Sequence, residues 1–130
     1  MNIKPEYEKS ETTSKIIGAA MAVHKEFGPH YLEVAYQRAL AIELNNLGID
    51  FSRETPVPIY YKDQKIDTRR ADFIIENVLV EVKVKSELDQ RDYEQILSYL
   101  KSSGYKVGLL VNFGAASLEY HRKINTNGAI

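Results

Sequence analysis

The chain has 130 residues, 44% of them hydrophobic and 27% charged, which suffices for one packed domain and not for two. Its 17 Lys+Arg against 18 Asp+Glu leave a formal net charge of -1, so no overall positive field draws it to phosphate polymers or anionic membranes. The absence of cysteine excludes a disulfide framework, a thiolate nucleophile and a Cys-ligated zinc site.

Met1 to Tyr7 lacks the apolar core of a signal sequence, and no stretch approaches the ~18 apolar residues of a membrane span. A cytoplasmic protein without membrane contact is the expectation. Residues 1–12 read as a loose polar lead-in whose end, Ser10 to Thr13, caps a helix. Ile16, Ala20, Val23 and Phe27 then recur at helical spacing up to Gly28-Pro29, predicting a first helix over Thr13–Phe27. Leu32, Tyr36, Leu40, Leu44 and Leu47, with Ala35, Ala39 and Ile42 beside them, predict a second helix over Tyr31–Leu47.

After Gly48 the pattern becomes that of strands. Thr55 to Tyr61 is β-rich but holds Pro56 and Pro58, which cannot donate to a ladder, so it belongs at a sheet edge or carries an irregularity. Lys62 to Lys65 reads as a turn. Arg70–Ile75 and Val78–Val84 are apolar runs separated by Glu76-Asn77, the length of a tight hairpin loop. Tyr93, Ile96, Leu97 and Leu100 form a helical stripe that ends at Ser102-Ser103-Gly104, and Lys106 to Asn112 follows as a central strand. A short strand over Leu118–Ile124 completes the series, and residues 125–130 read as a tail with little reason to be ordered. The order of elements gives a mixed α/β domain built round one sheet with helices to cover it.

The chemistry concentrates in the hairpin. With Glu76-Asn77 as a two-residue loop, Ile75 faces Val78, Phe73 faces Val80 and Asp72 faces Glu81. Facing residues of an antiparallel pair point to one side with Cβ atoms ~4.5–5.5 Å apart, so these two carboxylates repel, and Lys83 shares their side. Ala71, Phe73, Ile75, Val78, Val80 and Val82 fall on the opposite, core-facing side. Facing acids ask for a cation, and Mg²⁺ or Mn²⁺ suits two carboxylates completed by backbone carbonyl and water. The plainer alternative is a surface charge ladder, with Asp72 paired to Arg70 or Lys83.

Asp72, then Glu81-Val82-Lys83, then a helix carrying Gln95 and an apolar strand resemble the core of the PD-(D/E)XK nuclease superfamily. Val23 to Pro29 followed by Leu32 to Tyr36, with Gln95 to Lys101 and Gly108 to Gly114, resembles the GxxExxY proteins within it, over about Ile16 to Leu118. The naming glycine of that family falls at His30 here, while Glu33 and Tyr36 keep the spacing. The resemblance implies a single restriction-endonuclease-like domain, a mixed central sheet flanked by helices. It implies Asp72, Glu81, Lys83 and Gln95 as catalytic residues, with Asp72, Glu81 and Glu33 as metal ligands. Glu33 is equally read as a first-turn glutamate favoured by the helix dipole. Gln95 and Tyr99 share a helix face and would contact substrate or the lysine, and Arg70, with Arg69, Lys83, Lys85 and Arg91, offers local positive charge for a patch around the carboxylates.

The three histidines, His24, His30 and His121, show no metal-ligand spacing, and His24 reads as packed or capping. The function expected is a Mg²⁺- or Mn²⁺-dependent hydrolysis of nucleic-acid phosphodiesters, and a homodimer would supply two sites for a duplex, with Tyr60-Tyr61 as one candidate contact. The alternative is a non-catalytic binding or regulatory domain on the same scaffold.

Overall fold

A computed structural model describes residues 8–130. The helices are α1 (Ser10–Phe27), α2 (Glu33–Asn46) and α3 (Gln90–Ser103). The strands are β1 (Phe51–Tyr61), β2 (Gln64–Ile75), β3 (Val78–Lys83), β4 (Val107–Asn112) and β5 (Glu119–Ile124). They form one mixed sheet in the order β1-β2-β3-β4-β5, antiparallel except for β3 and β4. The α3 crossover between β3 and β4 is what makes that central pair parallel. The expected α/β fold with helices flanking a mixed sheet is what the chain adopts.

Alternation along β3 divides the core. Val78, Val80 and Val82 join Phe73, Ile75, Val107, Leu109, Val111 and Phe113 beneath α1 and α2. Leu79 and Leu110 pack against Ile96 and Leu100 of α3 on the other face. Gly108 lets α3 approach this closely, since a Cβ there would lie 2.9 Å from the Cδ1 of Ile96.

Several boundaries differ from the sequence expectation. Most of the expected lead-in, residues 1–7, lies outside the described residues. Of the rest, Glu8 and Lys9 form a turn and Ser10 to Thr12 belong to α1, which starts behind Lys9 with no side-chain cap. In α2, Tyr36, Leu40 and Leu44 are fully buried, but Leu32 is 78% and Ile42 60% exposed, and Leu47 lies outside the helix. The stripe is therefore narrower than the apolar periodicity suggests. β1 is an edge strand with a register shift at Ile59/Tyr60, and it starts four residues earlier than its prolines indicate. Glu76 and Asn77 both take positive φ, 48° and 65°, so they turn the hairpin in the mirror-image conformation that matches strand twist.

Residues 125–130 are docked rather than disordered. Asn125 is buried and donates from Nδ2 to the carbonyls of Leu100 and Tyr105, and the Ala129 and Ile130 amides donate to the carbonyl of Gly104. Those bonds tie the C-terminal residues to the end of α3 and the turn after it.

Candidate active site

The hairpin register is the one derived from the turn: Phe73 faces Val80, Ile74 faces Leu79 and Ile75 faces Val78. The backbone ladder stops there. Opposite the next pair, β1 also breaks its pairing with β2, between Arg53–Phe73 and Thr55–Ala71, at Glu54, whose φ is 48°. Asp72 sits at this gap, and its Oδ2 accepts the Val82 amide at 2.8 Å. A carboxylate thus replaces the backbone acceptor and fixes itself to β3 next to Glu81.

The two acids meet as expected, close enough for a hydrogen bond between their carboxyl groups. Glu81 is only 5% exposed. Burial first, then the Asp72 charge and the carboxyl–carboxyl hydrogen bond, push the Glu81 carboxyl up to about 8, against the pull of Arg69 and Lys83. Glu33 stands at the exposed rim on the first turn of α2 and is raised by desolvation and by Asp72, while Lys83 and a hydrogen bond from Gln37 at 3.1 Å lower it. Glu33, Asp72, Glu81 and Lys83 therefore share one electrostatic neighbourhood. Among the described residues, no group of three His, Asp or Glu side chains forms a ready coordination cluster.

Tyr36 explains how Glu33 reaches that rim. Its buried ring stacks on Phe113 at 4.6 Å, its hydroxyl donates to the Gly28 carbonyl, and it accepts the Tyr31 amide at 3.3 Å. One side chain pins the α1–α2 connection to the end of β4. The departure at His30 leaves that arrangement in place, and His30 itself is exposed.

Lys83 donates to Gln95 Oε1 at 3.4 Å, so the expected pairing of lysine and glutamine is present. Its backbone is held by the Phe113 amide, which donates to the Lys83 carbonyl at 2.9 Å. Beyond it, the fully buried Asn112 accepts from the Lys85 and Gly114 amides and donates to the Lys85 carbonyl and Glu119. Lys85 in turn meets Asp92 at 2.7 Å, within a reciprocal Asp89–Asp92 cap at the start of α3. This network locks the segment that carries Lys83 against α3, which carries Gln95. The Asp89-x-x-Asp92 spacing was a readable signal for the cap.

Tyr99 and Arg70 are placed differently from Gln95. Tyr99 lies not on Lys83 but under the guanidinium of Arg69, 3.8 Å from its ring centroid. Arg70 is exposed and borders a groove between β2 and α3. Among the described residues, no ion pair joins Asp72 to Arg70 or Lys83, so the charge-ladder alternative for Asp72 is not what the chain builds.

The cation beside the acids is Arg69, its Nε 3.7 Å from Glu81 Oε1 and without a hydrogen-bond partner. Arg69 belongs to the local positive charge expected around the carboxylates, although strict alternation gives it the parity of Ala71 and Phe73. The chain crosses over at Asp72: Phe73 packs beneath α1 and α2, whereas Ala71 packs with Val57, Leu79 and Leu110 on the α3 side. The expectation that Ala71 and Phe73 share one core face is corrected at that point.

A sequence-family profile described as PD-(D/E)XK nuclease superfamily matches residues 10–124. The chain belongs to the PD-(D/E)XK nuclease superfamily. A search of curated proteins returns no match. A solved chain, SSO0001, is similar in fold, with a TM-score of 0.54 at 19% identity, covering 92% of this chain and 60% of that one. The chain thus spans less than two thirds of that neighbour, and the likeness concerns the fold. Among the described residues, no helix of this nuclease-superfamily chain is long and apolar enough to cross a membrane.

Proposed function

We propose that the chain is a divalent-metal-dependent nuclease of the GxxExxY type, with Asp72 and Glu81 holding Mg²⁺ or Mn²⁺ and Glu33 completing the site directly or through water. One observation carries this reading: two acids, one of them buried, are held within hydrogen-bonding distance of each other beside Lys83. Such a pair gains from a hard dication, and Mg²⁺ needs only one or two carboxylates because it keeps several waters, so two close acids suffice. When bound, the ion supplies Lewis-acid activation of water and neutralises charge developing on phosphate. PD-(D/E)XK nucleases are generally divalent-metal dependent.

The chain's own residues do the rest. The Val82 amide fixes the Asp72 carboxylate, leaving its second oxygen for the ion. Lys83, held by Gln95, offers a positive hydrogen-bond donor to the attacking water or to the phosphate oxygen on which charge grows. The same arrangement suits nucleic acid as the substrate. For duplex cleavage two sites are required, and a homodimer belongs to the proposal for that substrate.

The test is hydrolysis of single- and double-stranded DNA and RNA by purified protein with Mg²⁺ or Mn²⁺. Activity is expected to vanish in Asp72→Ala and Glu81→Ala, and activity undiminished in both refutes the assignment. The alternative is a non-catalytic binding or regulatory domain on the same scaffold. Calorimetric titration with Mn²⁺ separates the two, since the scaffold reading expects no binding at millimolar ion.

A further inference from the structure

A groove of about 500 Å³ lies between β2 and α3, and it meets the acid pair through Arg69, whose Nε is 3.7 Å from Glu81 Oε1. Arg69 and Tyr99 form its inner wall, Arg70 and Thr68 its β2 side, and Ser98 and Ser102 its α3 side. We propose that this groove holds a single strand of nucleic acid and leads its scissile phosphate past Arg69 to Asp72 and Glu81, a proposal that rests on the nuclease reading.

Charge chooses between one strand and two. Duplex-binding surfaces typically neutralise on the order of 6–10 phosphates. The groove offers two arginines, opposed by Asp67 on the same wall, and the chain around it carries a formal net charge of -1. That suits a contact of one or two phosphates. The remaining chemistry is that of single-strand sites: an arginine stacked on an aromatic ring in the groove wall, with hydroxyls along the sides.

Arg69 is built for handing a phosphate inward. Its guanidinium rests on Tyr99 and lies beside Glu81 as an ion pair, while the side chain stays partly exposed, so it is preorganised by stacking and reachable from the groove. Of the other groove donors, Ser98 is satisfied by the Glu94 carbonyl at 3.0 Å and can still accept. A strand lying here needs only one active site, so this reading dispenses with the dimer.

The test is fluorescence anisotropy with a labelled single strand and a duplex of the same sequence, in chelator, on the wild-type chain and in an Asp72→Asn background. The strand is expected to bind at least about tenfold more tightly than the duplex. Ser98→Glu, on the exposed side of α3, should weaken strand binding about tenfold. For two phosphate contacts the salt slope should be roughly -1.4, falling by about 0.7 in Arg70→Gln. Melting curves verify that both variants fold. Duplex binding as tight as strand binding, unchanged affinity in either variant, or no binding at all overturns the proposal. A chain that binds in the groove and hydrolyses nothing refutes the nuclease reading and leaves the groove. A chain that cuts, while both variants bind as the wild type does, refutes the groove alone.

Discussion

The acid pair makes folding sensitive to pH in a direction that a single substitution can isolate. Glu81 has a carboxyl raised from 4.5 to about 8 by burial and by Asp72. The folded state therefore holds a proton that the unfolded state releases, and stability in chelator falls as pH rises through the window from about 4.5 to about 8. Moving one carboxyl across that window corresponds to a ceiling of roughly 5 kcal/mol at about 1.36 kcal/mol per pH unit. Adjustment of Arg69 and Lys83 toward the charged pair reduces it, and about 2 kcal/mol is the working value. Glu81→Gln keeps the shape and a donor toward Asp72 but removes the titration. In chelator the variant should melt about 6–10 °C above wild type at pH 8.5, taking ~3–5 °C per kcal/mol for a domain of this size, and close to wild type at pH 4.5. The assay is thermal unfolding across that pH range. A variant that melts below wild type by the same margin at every pH refutes the reasoning, because it would show that Glu81 is held by its ion pair with Arg69 and not strained by Asp72.

Asp72 separates two roles in one comparison. Asp72→Asn retains an acceptor for the Val82 amide and should be as stable as wild type in chelator, whereas Asp72→Ala orphans that amide and should lose about 1–3 kcal/mol in urea unfolding. Saturating Mg²⁺ or Mn²⁺ should raise the melting temperature of wild type, by about 2.7 kcal/mol of stabilisation at a hundredfold excess over Kd, and should leave both Asp72→Asn and Glu81→Gln unmoved. Tyr36→Phe removes the hydroxyl that ties Gly28 and Tyr31, so it should cost about 1–2 kcal/mol in the same unfolding assay, and it should weaken Mn²⁺ binding by calorimetry if Glu33 takes part.

Much of the architecture was legible because it rests on local rules. The hairpin register follows from the length of the Glu76-Asn77 loop, and Gly104 ends α3 in the left-handed conformation its position required. Pro56 and Pro58 marked an edge strand. What was not legible depends on tertiary partners. The apolar residues at 32 and 42 have helical spacing but no element among the described residues covers them, and periodicity alone cannot say where a core stops. The C-terminal residues look like a tail until Asn125 meets the end of α3, a contact between parts of the chain that no local window contains.

The site shows the same division, and the break at Asp72 explains it. Alternation assumes an uninterrupted ladder, and on that assumption Asp72 faces Glu81 while Arg69 lies on the far side. The first half survives because the Val82 amide is captured by the Asp72 side chain, so Asp72 is bound to β3 whether or not the backbones pair. The second half fails because the ladder ends there: without backbone bonds holding β2 flat against β3, Ala71 crosses to the α3 face and brings Arg69 over Tyr99 and beside Glu81. The feature that places the acid therefore also delivers the arginine. Strict parity finds the carboxylates of such a hairpin, and the cation that answers them is found only by counting the positive charges nearby, Arg69 among them, as a patch around the acids.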